Sequence, residues 1–178
     1  MFIVQNQVAL NYITLLADLP YIKGDTDAEE VVLLMDMYYE GDLKKAVLKT
    51  ISRLEGAYAL GILCSEEGGR IVAARQSAPL IVGVGIGENY FASDVTALVA
   101  HTKNVIYMED GEIADITPEN ITIYDTTGKV LEKTVTRIAW DIAAAEKGGY
   151  EHFMLKEIME QPHAIKSTIE PRIKDGEI

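Results

Sequence analysis

The stretch Ala73-Ala74-Arg75-Gln76-Ser77-Ala78-Pro79-Leu80-Ile81-Val82-Gly83-Val84-Gly85-Ile86-Gly87-Glu88-Asn89-Tyr90-Phe91-Ala92-Ser93-Asp94 decides how this chain folds. Ile71 to Arg75 is an apolar run that ends in a charge. Pro79 stops it, because proline has no N–H to give to a sheet ladder. Leu80 to Val84 is rich in branched residues that suit a pleated surface. Gly85-Ile86-Gly87 turns the chain back, since glycine reaches positive φ without a steric cost. Tyr90-Phe91-Ala92 makes a third run, and Ser93-Asp94 can cap a helix. The expectation is three strands side by side with a cover on at least one face. Arg75 and Asp94, at neighbouring strand ends, could form an internal ion pair with a structural rather than a catalytic role.

Outward from this block the hydrophobic period changes. Upstream, Val31, Val32, Leu34, Met35 and Tyr38 recur at helical spacing behind the capping box Thr26-Asp27-Ala28-Glu29. Gly41 can end that helix. Asp42 can cap a second helix, with Leu43, Ala46, Val47, Ile51 and Leu54 on its apolar face and Gly56 as its stop. Ala57–Cys64 and Arg70–Arg75 flank the hairpin signal Glu66-Glu67-Gly68-Gly69. Downstream, Val95–Val99 reads as a short helix. Val105–Met108, Glu112–Ile116, Ile121–Tyr124 and Val130–Lys133 read as strands. A helix is expected over His152–Gln161, interrupted by Pro162 before His163–Ile169. At the start, Phe2-Ile3-Val4 is a strand candidate followed by Gln5-Asn6-Gln7. Two helices followed by antiparallel hairpins make an α+β pattern.

Composition excludes several classes. A chain of 178 residues with 48% hydrophobic residues is one ordinary domain, or most of one, with enough apolar material for a core. A net charge of −12 argues against nucleic acid and against an anionic membrane surface. No apolar run has the length of a membrane span, and the start lacks the pattern of a signal peptide. The single cysteine rules out an internal disulfide framework. A cytoplasmic protein is the simplest expectation. His101, His152 and His163 lack metal-ligand spacing, so no metal and no cofactor are expected. Gly83-x-Gly85-x-Gly87 has the wrong spacing for a dinucleotide fingerprint, and a strand rather than a helix follows it. Glu109, Asp110 and Glu112 could attract a cation, but an Asp-Gly turn accounts for them more simply.

The motif Ala-Arg-x-x-x-Pro-Leu-x-x-Gly-x-Gly-x-x-Glu-x-x-x-Ala-Ser-Asp within 74–94 also resembles the glutaminase domain of the glutamine–fructose-6-phosphate aminotransferase family. Leu54-Glu55-Gly56-Ala57-Tyr58-Ala59, Glu109-Asp110-Gly111-Glu112-Ile113-Ala114 and Lys156-Glu157-Ile158-Met159-Glu160-Gln161-Pro162 carry the same resemblance. It is dense from about Leu54 to Ile173 and thin before Leu54. It implies a partial αββα sandwich of the N-terminal-nucleophile type over residues 1–150. It also implies a helical segment over 151–178 leading towards a sugar-isomerase domain. The implied activity is release of ammonia from glutamine for making glucosamine 6-phosphate.

The resemblance places the family's oxyanion asparagine at Asn6 and its substrate-binding aspartate, which pairs the ammonium of glutamine, at Asp27. The alternative readings are a turn residue at Asn6 and a first-turn acid favoured by the helix dipole at Asp27. Gln5 and Gln7 depart from the family's His-Asn-Gly pattern. The family's nucleophile is a cysteine at the start of the mature chain with its own α-amine as base, whereas this sequence starts Met1-Phe2 and holds only Cys64. The expectation is a glutaminase domain without its first third, inactive alone, with weak or lost glutamine binding. Self-association and a sugar-isomerase partner chain are further expectations. The competing expectation is a non-catalytic scaffold or regulatory module that docks through Lys156–Ile173.

Overall fold

The computed structural model describes residues 2–6, 27–139 and 150–172. The chain divides into two units, Met1–Ala139 and Trp140–Ile178. Thr26 of the capping box, Gln7, and the apolar segment Val8–Leu16 lie outside the described residues.

The first unit opens with strand β1 (Phe2–Asn6), then helices α1 (Asp27–Tyr38) and α2 (Leu43–Ile51). In α1, Val31, Leu34 and Met35 are buried, the i, i+3, i+4 set of one helical face. In α2, Leu43, Ala46, Val47, Thr50 and Ile51 repeat that pattern. The Asp42 side chain caps α2 by accepting from the Lys45 N–H at 3.3 Å, as its position predicts. The buried Thr50 hydroxyl donates to the Ala46 carbonyl at 2.9 Å, so no polar atom of that side chain is left unpaired in the core.

Two antiparallel sheets follow. The first has the order β1-β2-β3-β7-β8-β9, with β2 (Tyr58–Leu63), β3 (Ile71–Gln76), β7 (Ile113–Ile116), β8 (Ile121–Tyr124) and β9 (Val130–Leu131). The second has the order β10-β6-β4-β5, with β4 (Ile81–Val84), β5 (Asn89–Ala92), β6 (Asn104–Tyr107) and β10 (Thr136–Arg137). The expected block of three adjacent strands is therefore corrected. β4 and β5 pair as expected, but β3 belongs to the other sheet, between β2 and β7. Pro79 separates the two sheets, and Ser77, with φ 55, turns the chain out of the first one.

The strand period of two sorts side chains into two cores. Tyr58, Leu60, Ile62, Val72 and Ala74 face α1 and α2. Ala59, Ala73 and Ala114 face the second sheet, where Leu80, Val82, Ile106 and Met108 meet them. On the outer face of the second sheet, the 3₁₀ turn Val95–Ala97, with Leu98 and Val99, covers Ile81 and Val105. Helix, sheet, sheet and a short outer cover make the partial αββα layering that the resemblance implies. Asp94 caps this turn, its carboxylate accepting from Thr96 N–H at 2.7 Å.

The second unit contains helix α3 (Phe153–Ile169) and a 3₁₀ turn, Glu170–Arg172. The expected break at Pro162 does not occur, and α3 runs through it. Proline's φ is helical, so its missing N–H and local crowding weaken a helix without always ending it.

Candidate functional site

The register of the first sheet sets the geometry. Asn6, the last residue of β1, pairs with Ala59, and Ala59 pairs with Arg75 on the next strand. The three residues form one transverse row at one end of the sheet. Asp27 is the first residue of α1, and the backbones of α1 and β1 lie close together. The structure describes the backbone of Asn6 and Asp27, so their expected roles rest on this placement and on the resemblance.

Arg75 does not pair with Asp94. Its Nη1 donates to the Met108 carbonyl at 2.6 Å and its Nη2 to Asp110 Oδ1 at 2.6 Å. The reason is topological: β3 and β5 lie in different sheets, while the β6–β7 connection passes over the end of β3. Gly111 N–H donates to the Arg75 carbonyl at 3.0 Å, and Arg75 N–H to the Glu112 carbonyl at 3.3 Å. Asp110 Oδ1 also accepts from Ser77 N–H at 2.9 Å. That backbone bond holds the Asp110 carboxyl below the usual carboxylate value; burial opposes it, and Arg75 reinforces it. Tyr58, buried at the start of β2, has its hydroxyl pushed up by burial and by the charge of Asp110.

The rest of the acidic turn is also paired. Glu112, 6% exposed, accepts from Glu109 N–H at 2.7 Å and from Lys133 Nζ at 2.8 Å. Gly111 sits at φ 78, as an Asp-Gly turn requires. Among the described residues no group of three or more His, Cys, Asp or Glu side chains could hold a metal ion.

Cys64 is buried just past the end of β2. Its strand neighbour Leu63 pairs with Phe2, the far end of β1 from Asn6. At ~3.4 Å per residue, the run from Ala59 to Cys64 places it about 17 Å along the strand from the Asn6 row. His101 is used in packing, with its ring stacked on Tyr90 at 5.0 Å.

Comparisons with known proteins agree with this fold. No family model matches the chain. Glutamine–fructose-6-phosphate aminotransferase [isomerizing] from Clostridium acetobutylicum is 46% identical over 179 residues, covering 98% of this chain and 29% of that protein. The enzyme of the same name from Caldanaerobacter subterraneus is 50% identical over 150 residues, covering 84% and 25%. That from Aquifex aeolicus is 44% identical over 171 residues, covering 94% and 29%. The chain thus spans between a quarter and a third of the length of these relatives. Among solved structures, glutamine phosphoribosylpyrophosphate amidotransferase from B. subtilis, complexed with ADP and GMP, superposes with a TM-score of 0.61 at 24% identity. The match covers 72% of this chain and 29% of that one. A structure described as the allosteric regulatory enzyme of purine biosynthesis gives 0.59 at 20% identity, covering 82% and 35%. These two support the sandwich fold alone. With relatives at 44–50% identity over most or nearly all of its length, the chain belongs to the glutamine–fructose-6-phosphate aminotransferase family, matching one part of its members.

Proposed function

We propose that the chain is part of the glutaminase portion of a glutamine–fructose-6-phosphate aminotransferase, and that it handles glutamine as the ammonia source for glucosamine 6-phosphate. The observation that carries this reading is the packing of β1, which ends at Asn6, against α1, which begins at Asp27. Asn6 supplies a donor for an oxyanion, a contribution that can reach about 3 kcal/mol. Asp27 pairs the ligand's ammonium, aided by the start of α1. The domain extends over residues 1–150, and 151–178 leads towards a sugar-isomerase partner. Residence in the cytoplasm fits the reading; among the described residues no helix is long and apolar enough to cross a membrane.

The one thiol in the sequence, Cys64, is far from this row, so this chain alone releases no ammonia from glutamine above background. A coupled ammonia assay tests this. Release that vanishes in Cys64→Ser would overturn it.

A second reading, a docking module that keeps the scaffold, is favoured by α3. Leu155, Ile158, Ile165 and Ile169 are exposed and lie on one stripe of that helix. Another copy of the chain or a sugar-isomerase domain would cover it. A clean monomer in light scattering at micromolar concentration, unmoved by an added isomerase domain, would exclude that reading.

A further inference from the structure

Two local irregularities meet at the Asn6 end of the sandwich. Ser77 is the one non-glycine residue with positive φ among the described residues. The Nε of Arg75 is buried and has no acceptor among them. Left-handed backbone costs free energy for a residue with a Cβ, and a buried donor without a partner costs more. Both kinds of feature persist where the surrounding structure enforces them, and they gather at ligand sites. Here one atom enforces the arrangement. Asp110 Oδ1 accepts from Arg75 Nη2 and from Ser77 N–H together.

We propose that Asp110 is a positioning residue for the glutamine site, holding the Arg75–Ser77 turn as a wall of that site. The proposal rests on the glutamine reading above and extends it to residues that reading does not use. Asn6 and Arg75 are separated by one strand, with Ala59 between them. At the usual strand spacing their Cα atoms stand about 10 Å apart. A single amino-acid amide bound beside Asn6 therefore reaches the turn. The Arg75 Nε–H offers a hydrogen bond to a carboxylate or carbonyl oxygen of such a ligand. Asp110 meanwhile occupies the other side of the guanidinium, so the group is pinned rather than free to follow the ligand.

The test is a titration of glutamine, to about tens of millimolar, into the ¹⁵N-labelled chain. The expected result is that the Asn6 side-chain amide, the Ser77 N–H and the Arg75 Nε–H shift together with one dissociation constant. Asp110→Ala removes the shared acceptor and should weaken binding about tenfold or more, whereas Asp110→Asn keeps that oxygen and should bind within about threefold. Asp115→Ala serves as a control for instability. It breaks the two bonds from Arg70 Nε and Nη2 to Asp115, at 2.8 and 2.6 Å, and should lower Tm without changing affinity. Movement of Asn6 without Ser77 and Arg75, or unchanged affinity in a folded Asp110→Ala chain, would overturn the positioning role and leave the glutamine reading standing. No shift at any of the three would overturn both. If Asp110→Ala does not fold, the titration of the unmodified chain decides the matter.

Discussion

Gly61 on β2 lies directly against the ring of Phe91 on β5, and a Cβ built on Gly61 would run into that ring. This contact sets how closely the two sheets approach. Ala59, Ala73 and Ala114 on the same face of the first sheet are correspondingly small. Larger side chains from the second sheet fill the space, and the layer stays at interior density.

Gly61→Ala should therefore destabilise the fold by about 1–3 kcal/mol, the usual cost of overpacking. Phe91→Ala opens the space the new methyl needs. The double variant should be less destabilised than the sum of the two single changes. Urea unfolding of the four chains checks this, and strict additivity would show that the two residues do not meet.

Ser77 offers the opposite case. Its φ of 55 suits glycine, so Ser77→Gly should stabilise the chain by about 0.5–1 kcal/mol, after the added unfolded-state freedom of glycine is set against the relief of strain. Ser77→Val should destabilise by more than that, because a branched Cβ is worst in this region. Thermal unfolding of both variants measures the pair of effects.

Acid stability follows from the carboxylates. In Asp94 and Asp125, threonine hydroxyls hold the carboxyl below its usual value. In Asp110 the Ser77 N–H does so. Burial pushes Asp42 up, but the Lys45 N–H and the charges of Lys45 and Arg70 outweigh it, and its net shift is also downward. A carboxyl depressed in the folded state contributes stability that is present above its unfolded value, near about 3.9. That contribution is lost as pH falls through the folded value. Tm should hold nearly level from neutral pH to about pH 5 and fall steeply below about pH 4. Asp42→Asn and Asp110→Asn should each lower Tm at pH 7 and flatten the acid limb. A Tm in these variants that keeps the full acid dependence would assign the loss to other groups.

The helical faces and caps were legible because their signals are local. Asp42 and Asp94 sit one residue before the turns they cap, and their bonds span two or three residues. The Glu66–Gly69 and Gly85–Gly87 turns were legible for the same reason. The partner of Arg75 was not. Asp110 lies 35 residues away, and only the assignment of β3 to one sheet and β4 to the other brings it there. The acidic turn Glu109–Glu112 was the available signal, since a buried arginine needs a carboxylate. Strand β10 carries no sequence signal because Thr136–Arg137 is short, polar and exposed. The positive φ of Ser77 carries no sequence signal, because a serine side chain does not require it. At the site, Asn6 and Asp27 came from the resemblance, and the row Asn6–Ala59–Arg75 from the fold.

Glutamine binding tests the central claim most directly, and titration calorimetry on the chain and on Asp27→Ala is the measurement. On the proposed reading Asp27 and Asn6 meet the ammonium and the side-chain carbonyl, but the positive charge of Arg75 is already shared with Asp110, which leaves its Nε–H as a single hydrogen bond for the ligand's own carboxylate. Binding should therefore be millimolar, and Asp27→Ala should weaken it by about tenfold or more, the cost of losing a charge-assisted partner. Millimolar binding unchanged in Asp27→Ala would contradict the site. Micromolar binding abolished by that substitution would contradict the weak-binding account and mark the chain as a ligand sensor built from further residues.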